Sequence, residues 1–212
     1  MKVKDFLKSN SFRCIVVLLV IALVCGTVLA LCNDLFYVSD EEVKLRSMAK
    51  IYDGEVSELV DVDLTGRVTE YSSFNCNAVI KEAMTAPGGL WLVKSKGDKC
   101  GYQNGSVVLW VSMTAEGGKL TKINKVILES YDSSQSLIKS INDEFLAQYA
   151  SAEYADVVTG GKHFSNVRMS KPDNTQETEI VASGATYTSK AVNAAVNGAM
   201  DFVRAEAAKE GV

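Results

Sequence analysis

A run of small and hydroxyl-bearing residues near the C-terminus has the composition of an anion-binding helix start. Residues 183–189 read Ser-Gly-Ala-Thr-Tyr-Thr-Ser, and they join the apolar stretch at 179–182 to a segment with helical periodicity. Hydroxyl side chains there can cap the first turn of the helix, whose N–H groups and dipole attract anions such as phosphate. Gly184 would let a ligand approach the backbone closely. From spacing alone, however, a hydroxyl-rich N-cap without a ligand is the preferred interpretation.

The remaining polar residues argue against several other kinds of site. Ser183, Thr188 and Ser189 have no credible base nearby in the sequence with which to form a hydrolase triad. His163 is the sole histidine and lies in a polar loop, where a solvent-exposed position is favoured over the alternative of a catalytic base. Because no carboxylates or thiols cluster with it, we expect no metal site. The sequence contains no dinucleotide-binding fingerprint and no Walker loop.

The N-terminal segment has the composition of a membrane anchor. Residues 1–13 carry four basic side chains against one aspartate, residues 14–33 carry no charge, and acidic residues follow from Asp34 onward. About 20 residues at ~1.5 Å each span the ~30 Å hydrocarbon core of a bilayer. The positive-inside rule then predicts a cytoplasmic N-terminus and an extracytoplasmic remainder. A signal peptide cleaved after Ala30 is the alternative, although the apolar run is long for one.

Charge and cysteine content narrow the choice of partners and compartment. The net charge of -4, without a basic stripe, argues against nucleic acid as a partner. The five cysteines lack metal-binding spacing, and the three in the apolar segment are expected to be small packing residues. Cys76 and Cys100 are able to form a disulfide in an oxidising compartment, but their spacing does not decide whether they do.

Periodicity and turn residues predict an α+β fold, with a single N-terminal transmembrane helix followed by one extracytoplasmic domain of antiparallel sheet plus helices. Residues 57–85 show no clear pattern. Glycine-containing turns join the strands. The last predicted helix places Val192, Val196, Ala199 and Val203 on one face. The predicted strands lie at 90–96, 106–113 and 123–128, and the predicted helices at 41–52, 134–149 and 189–209.

These elements imply four consecutive parts of the chain. The helix at 41–52 would act as a stalk that holds the soluble domain off the bilayer. The parts are a cytoplasmic N-terminus at 1–13, a transmembrane helix at 14–33, a helical stalk at 34–55 and a single domain at 56–212.

The heptapeptide at 183–189 resembles the flavinylation motif of the FMN-binding domain family. This family includes the RnfG subunit of the Rnf ion-translocating electron transport complex and the NqrC subunit of the sodium-pumping NADH:quinone reductase. The short basic N-terminus, the single anchor, the acidic stalk, the strand-rich segment and the Asp-Glu-Phe-Leu-Ala-Gln-Tyr stretch at 143–149 are similar as well. The length is closer to that of the Rnf protein, with an NqrC-like subunit as the alternative.

The resemblance implies that FMN is joined through its phosphate to the hydroxyl of Thr186, the residue that ends the Ser-Gly-Ala-Thr tetrapeptide. A separate FMN transferase, which uses FAD and magnesium, would attach it. The family commonly has an acidic residue where this chain has Ile180, and the loop at 131–137 lacks the family's Thr-Pro-Gly-Leu-Gly turn. Leu137 is then the expected apolar contact of the flavin. The other expected cofactor-binding residues are Ser183, Gly184, Ala185, Thr188 and Ser189.

The resemblance further implies an electron-transfer subunit without independent catalysis. It would work with other integral membrane subunits in a complex that couples ferredoxin or NADH oxidation to sodium or proton transport. Trp91 and Trp110 lie on predicted strands and are expected to pack in the core rather than against the flavin. Two alternatives remain: a stand-alone membrane-tethered flavoprotein that reduces an extracellular acceptor, and a non-redox binding module in which the tetrapeptide only caps a helix.

Overall fold

The structure is a computed structural model that describes residues 10–36, 40–73, 76–98, 105–132, 138–165, 178–180 and 185–210. The chain forms two compact units, Met1–Lys44 and Leu45–Val212. The first unit contains helix α1, Asn10–Phe36. Within it, Cys14–Asn33 has a mean hydropathy of 3.1 and is long and apolar enough to cross a membrane. This helix coincides with the predicted anchor at 14–33, although a signal sequence near an N-terminus meets the same criteria of length and hydropathy.

The second unit is built on an antiparallel sheet, as the sequence predicted. Across the described residues the sheet has six strands in the order β1-β3-β4-β5-β6, with β2 paired to a different part of β3. Gly117 and Gly118 form the tight turn between β5 and β6, and both have positive φ angles, which suits a two-residue hairpin. The strands are β1 Val60–Asp61, β2 Glu70–Ser73, β3 Cys76–Ala86, β4 Leu90–Asp98, β5 Val107–Glu116 and β6 Lys119–Tyr131.

Strand β3 lies in the region where the sequence shows no clear pattern, and a β-bulge explains why. Ile80 pairs with Ser95 and Glu82 pairs with Lys94, so Lys81 is an extra residue in the strand. One extra residue reverses the alternation of buried and exposed positions. The period-2 signal that marks a strand is therefore interrupted in the middle of β3.

The helices agree with the sequence prediction at both ends of the second unit and differ in its middle. Helix α2 spans Asp40–Ile51, and the last helix, α5, spans Thr186–Glu210. The predicted helix at 134–149 is confirmed only in part over its described residues. There a 3-10 turn at Ile138–Ser140 is followed by a short helix α3 at Asp143–Ala147, because the Asn142 side chain caps a new helix by accepting the Phe145 N–H at 2.8 Å. Helix α4 spans Ala155–Thr159.

Helix α5 crosses the inner face of the sheet and forms the main core with it. It runs obliquely across the strands: Ala191 packs on Gly97 near the end of β4, and Phe202 meets Trp91 near the start of β4. Between them, Gly198 lies on Ala78 of β3, the residue that pairs with Gly97. The Trp91 and Phe202 rings contact edge to face with centroids 6.2 Å apart. The predicted apolar face of α5 is confirmed, since Val192, Val196, Ala199 and Val203 are all fully buried.

The outer face of the sheet carries a smaller core. Met48 and Ile51 of α2 pack there against a cluster that also contains Met84, Leu92 and Trp110. Trp91 on the inner face and Trp110 on the outer face are thus both core residues, as predicted. The second half of α2 is part of the folded unit, although its Leu45 is half exposed.

Candidate functional site

Thr186 is the first residue of α5, and its exposure distinguishes it from Thr188 and Ser189. Ala185 is buried and acts as the N-cap position: its carbonyl accepts the backbone N–H and the hydroxyl of Ser189, each at 2.9 Å. Thr188 and Ser189 are 4% and 0% exposed. Thr186 is exposed, so of these three hydroxyl residues it is the one that lies at the surface.

The predicted site residues divide into two groups. Ala185, Thr186, Thr188 and Ser189 lie together in the cap and the first turn of α5. The other three, Ser183, Gly184 and Leu137, lie outside the described residues, so their predicted contacts with a cofactor stay predictions.

The strand that leads into this turn is held by a buried amide that the sequence analysis missed. Strands β7, Phe164–Ser165, and β8, Thr178–Glu179, pair in parallel, and Ile180 directly after β8 donates its N–H to the Ser165 carbonyl at 2.9 Å. The Ile180 carbonyl accepts from Asn193 Nδ2 on α5 at 2.9 Å. Ile180 itself is 1% exposed, so an apolar side chain suits this position.

The orientation of the Asn193 amide follows from its other hydrogen bond. The Tyr149 hydroxyl donates to Asn193 Oδ1 in the core. Burial raises the pKa of Tyr149 well above its ordinary value, so the phenol stays protonated and serves as the donor. With Oδ1 accepting from Tyr149, Nδ2 must face the Ile180 carbonyl. The pair therefore fixes where the chain leaves β8 on its way to Thr186.

Asn197, one turn further along α5, holds β7 in the same way. Its Oδ1 accepts the Phe164 N–H at 2.9 Å, and its Nδ2 donates to the Phe164 carbonyl at 2.9 Å and to Ser73 Oγ at 3.2 Å. Two asparagines at i and i+4 on an otherwise apolar helix face were the available sequence signal. Their backbone partners are distant in the chain, and sequence periodicity does not identify them.

The N-terminus of α5 lies at the end of the sheet where β4 and β6 stop. Gly97, against which Ala191 packs, pairs with Val107, and Val107 pairs with Tyr131 at the end of β6. Thr186 precedes Ala191 by five residues, which is about 7.5 Å along a helix axis. Thr186 therefore lies toward this end of the sheet.

His163 is partly buried, so the predicted solvent-exposed loop position is only half correct. Its Nε2 lies 2.9 Å from both carboxylate oxygens of Asp201 on α5, and its side chain is 31% exposed. Arg204 contacts the same carboxylate at 3.0 Å and donates to the carbonyls of Val157, Val158 and Lys162. This network ties the segment around α4 to α5, which is a structural role.

Cys76, one half of the possible disulfide, is buried in the main core. Its candidate partner Cys100 lies outside the described residues, so the pairing stays untested.

In comparisons with known proteins, no family model, no curated protein and no solved structure matches this chain.

Proposed function

We propose that this chain is a membrane-anchored electron-transfer subunit that carries FMN in a phosphoester bond to Thr186. The observation that carries the proposal is the position of Thr186 as the exposed first residue of α5, beside two buried hydroxyl residues. An enzyme that modifies this turn reaches Thr186 without unfolding it. Reaching Thr188 or Ser189 would require the first turn of α5 to open.

The attachment step uses FAD as the donor of the flavin phosphate. The Thr186 hydroxyl oxygen forms a bond to the flavin-side phosphorus, and the bond from that phosphorus to the bridging oxygen breaks. AMP leaves with the bridging oxygen, and the hydroxyl proton passes to solvent or to a base of the transferase. No electrons are exchanged, and the product is a phosphodiester with one negative charge.

The start of α5 suits such a group electrostatically. The first-turn N–H groups of a helix point outward from its end, and the helix dipole favours negative charge there by about 0.3 to 1 kcal/mol at an exposed position. The Ala185 carbonyl holds the first turn through Ser189, and the Tyr149–Asn193 pair ties the end of β8 to α5. The chain thereby supplies a rigid attachment point.

In the proposed topology, α1 spans the membrane with the N-terminus in the cytoplasm and the second unit on the outer side. FMN, when bound, supplies one-electron transfer between redox centres of neighbouring integral membrane subunits. The complex would couple ferredoxin or NADH oxidation to sodium or proton transport, as in Rnf-type complexes. The chain's own part is to hold and orient the cofactor.

The direct test is covalent flavin retention. The full chain is coexpressed with an FMN transferase, denatured and examined for flavin fluorescence on a gel, and the labelled peptide is identified by mass spectrometry. We expect Thr186→Ala to abolish the signal and Thr186→Ser, which keeps a hydroxyl, to retain it. Thr65→Ala is the matched control, because Thr65 is an exposed threonine in a turn. Fluorescence that persists in Thr186→Ala refutes the ester assignment.

Two further measurements test the proposed partner subunits and the proposed membrane topology. Affinity purification under mild detergent should recover several hydrophobic subunits, whereas recovery of the chain alone would favour a stand-alone flavoprotein. Labelling of intact cells with a membrane-impermeant reagent should modify cysteines introduced into the second unit. Protection of those cysteines would contradict the proposed topology.

A further inference from the structure

Two exposed aromatic side chains lie at the end of the sheet that carries Thr186. In the described part of the second unit, five large apolar side chains are at least half exposed: Leu45, Val60, Val68, Tyr131 and Tyr187. Both of the aromatic ones are at this end. Tyr187 follows Thr186 directly. Tyr131 is the last residue of β6 and pairs with Val107, which in turn pairs with Gly97 of β4.

Tyr131 also lies on the same face of the sheet as α5. Its partner across the ladder is Val107, which is fully buried in the core that α5 forms with the sheet. Directly opposed residues of antiparallel strands project to the same face. The Tyr131 side chain nonetheless remains 52% exposed. An aromatic side chain of this size is thus left open on the face of the sheet that α5 covers.

Lys190 places a positive charge one turn along α5 from Thr186. Residues at i and i+4 are neighbours on a helix surface, with Cβ atoms about 5–6 Å apart. The Lys190 ammonium lies over the Tyr187 ring, 5.4 Å from its centroid. Lys190 is therefore held on the side of the helix that Thr186 occupies.

We propose that the flavin on Thr186 is held against this chain: Lys190 neutralises the phosphodiester, and the isoalloxazine ring contacts Tyr131 and Tyr187. The inference rests on the proposed function. A phosphodiester carries one negative charge, which one lysine balances. The planar apolar isoalloxazine gains by covering aromatic surface that water otherwise contacts. The two contacts together would restrict the ring to the end of the sheet.

The experiment uses the full chain, flavinylated by the transferase and purified in detergent. Fluorescence per bound flavin and the decay of its anisotropy report ring contact, because a ring stacked on tyrosine is quenched and rotates with the protein. We expect Tyr131→Leu and Tyr187→Leu each to lower the ratio of contacting to free flavin about fivefold. Tyr→Phe at either position should keep the slow anisotropy decay.

The contact between Lys190 and the phosphodiester is tested by thermal unfolding. We expect flavinylation to raise the thermal midpoint of the wild-type chain, Lys190→Glu to remove that rise and Lys190→Arg to keep it. Lys119→Glu is the control with the same charge change. Lys119 is an exposed residue at the start of β6, next to the Gly117–Gly118 turn at the opposite end of the sheet.

The outcomes separate this inference from the proposed function. If the wild-type chain carries no flavin on Thr186, both fail. If Thr186 is flavinylated but the tyrosine and lysine variants match Lys119→Glu in fluorescence, anisotropy and midpoint, the contact site alone is refuted. Should a leucine variant not fold, as judged by its circular dichroism, the phenylalanine and lysine variants still decide the question.

Discussion

Replacement of Gly97 by alanine tests how closely α5 lies on the sheet. A Cβ at position 97 would overlap the Ala191 carbonyl oxygen and would lie 2.9 Å from the carbonyl carbon and 3.0 Å from the Ala195 nitrogen. Carbon atoms in contact are normally about 3.5–4.0 Å apart, so α5 must retreat by roughly 1 Å. Gly97 is not among the glycines with positive φ, so the substitution adds little backbone strain.

The expected cost is large because both clashing partners are backbone. Overpacking a core costs about 1–3 kcal/mol, and rigid neighbours place Gly97→Ala at the upper end, near ~3 kcal/mol. For a chain of this size that lowers the thermal midpoint by about 6–12 °C. The measurement is thermal unfolding of the full chain in detergent, followed by tryptophan fluorescence, which includes Trp91 at the α5 interface.

The control is Gly66→Ala. Gly66 has φ 74°, and nothing lies within 4 Å of the place that a Cβ would take, so alanine there adds strain but no clash. Its cost should be about 1 kcal/mol, as is usual for a non-glycine residue in the left-handed region. If Gly97→Ala lowers the midpoint by no more than Gly66→Ala, the close approach of α5 to β4 is refuted.

Two further predictions concern the buried pair that precedes Thr186. Asn193→Leu should lower the free energy of unfolding by about 2–5 kcal/mol, because the Ile180 carbonyl and the Tyr149 hydroxyl stay buried without the Asn193 amide. Chemical denaturation measures this loss. A loss below about 1 kcal/mol would contradict the role assigned to the amide. The raised pKa of Tyr149 predicts alkaline destabilisation. Tyrosine in the unfolded chain ionises near pH ~10 while Tyr149 in the folded chain does not, so its contribution is complete below that pH and is lost as the pH rises above it. Tyr149→Phe should flatten the fall in thermal midpoint above pH ~10, and an unchanged slope would count against the buried phenol.

The sequence predicted those parts of the fold that depend on local pattern. The apolar positions of α5 repeat at helical spacing, and the Gly117–Gly118 turn marks the hairpin between β5 and β6. The bulge at Lys81 hid β3, because it breaks the alternation on which strand prediction depends. The predicted helix at 134–149 is only partly correct. Ile138, Ile141 and Phe145 have the spacing of one continuous helix, but the Asn142 cap starts a new, shorter helix between Ile141 and Phe145.

The candidate site was likewise predictable only where it depends on local sequence. Thr186 belongs to a contiguous motif, so the sequence alone predicts it as a candidate attachment residue. The Tyr149–Asn193 pair joins residues 44 positions apart, and only the packing of α5 on the domain brings them together. The exposed Tyr131 likewise shares an end of the sheet with Thr186 through the strand register.

The bulge in β3 also determines where the sheet tolerates a change in chain length. Ile80 and Glu82 already have partners adjacent to each other on β4, so loss of Lys81 would leave every neighbouring pairing intact and convert β3 into a regular strand. Loss of a residue farther from the bulge would turn over the stretch between that residue and Lys81 and bring buried side chains to the surface. A change in the length of this strand is therefore best tolerated at the bulge.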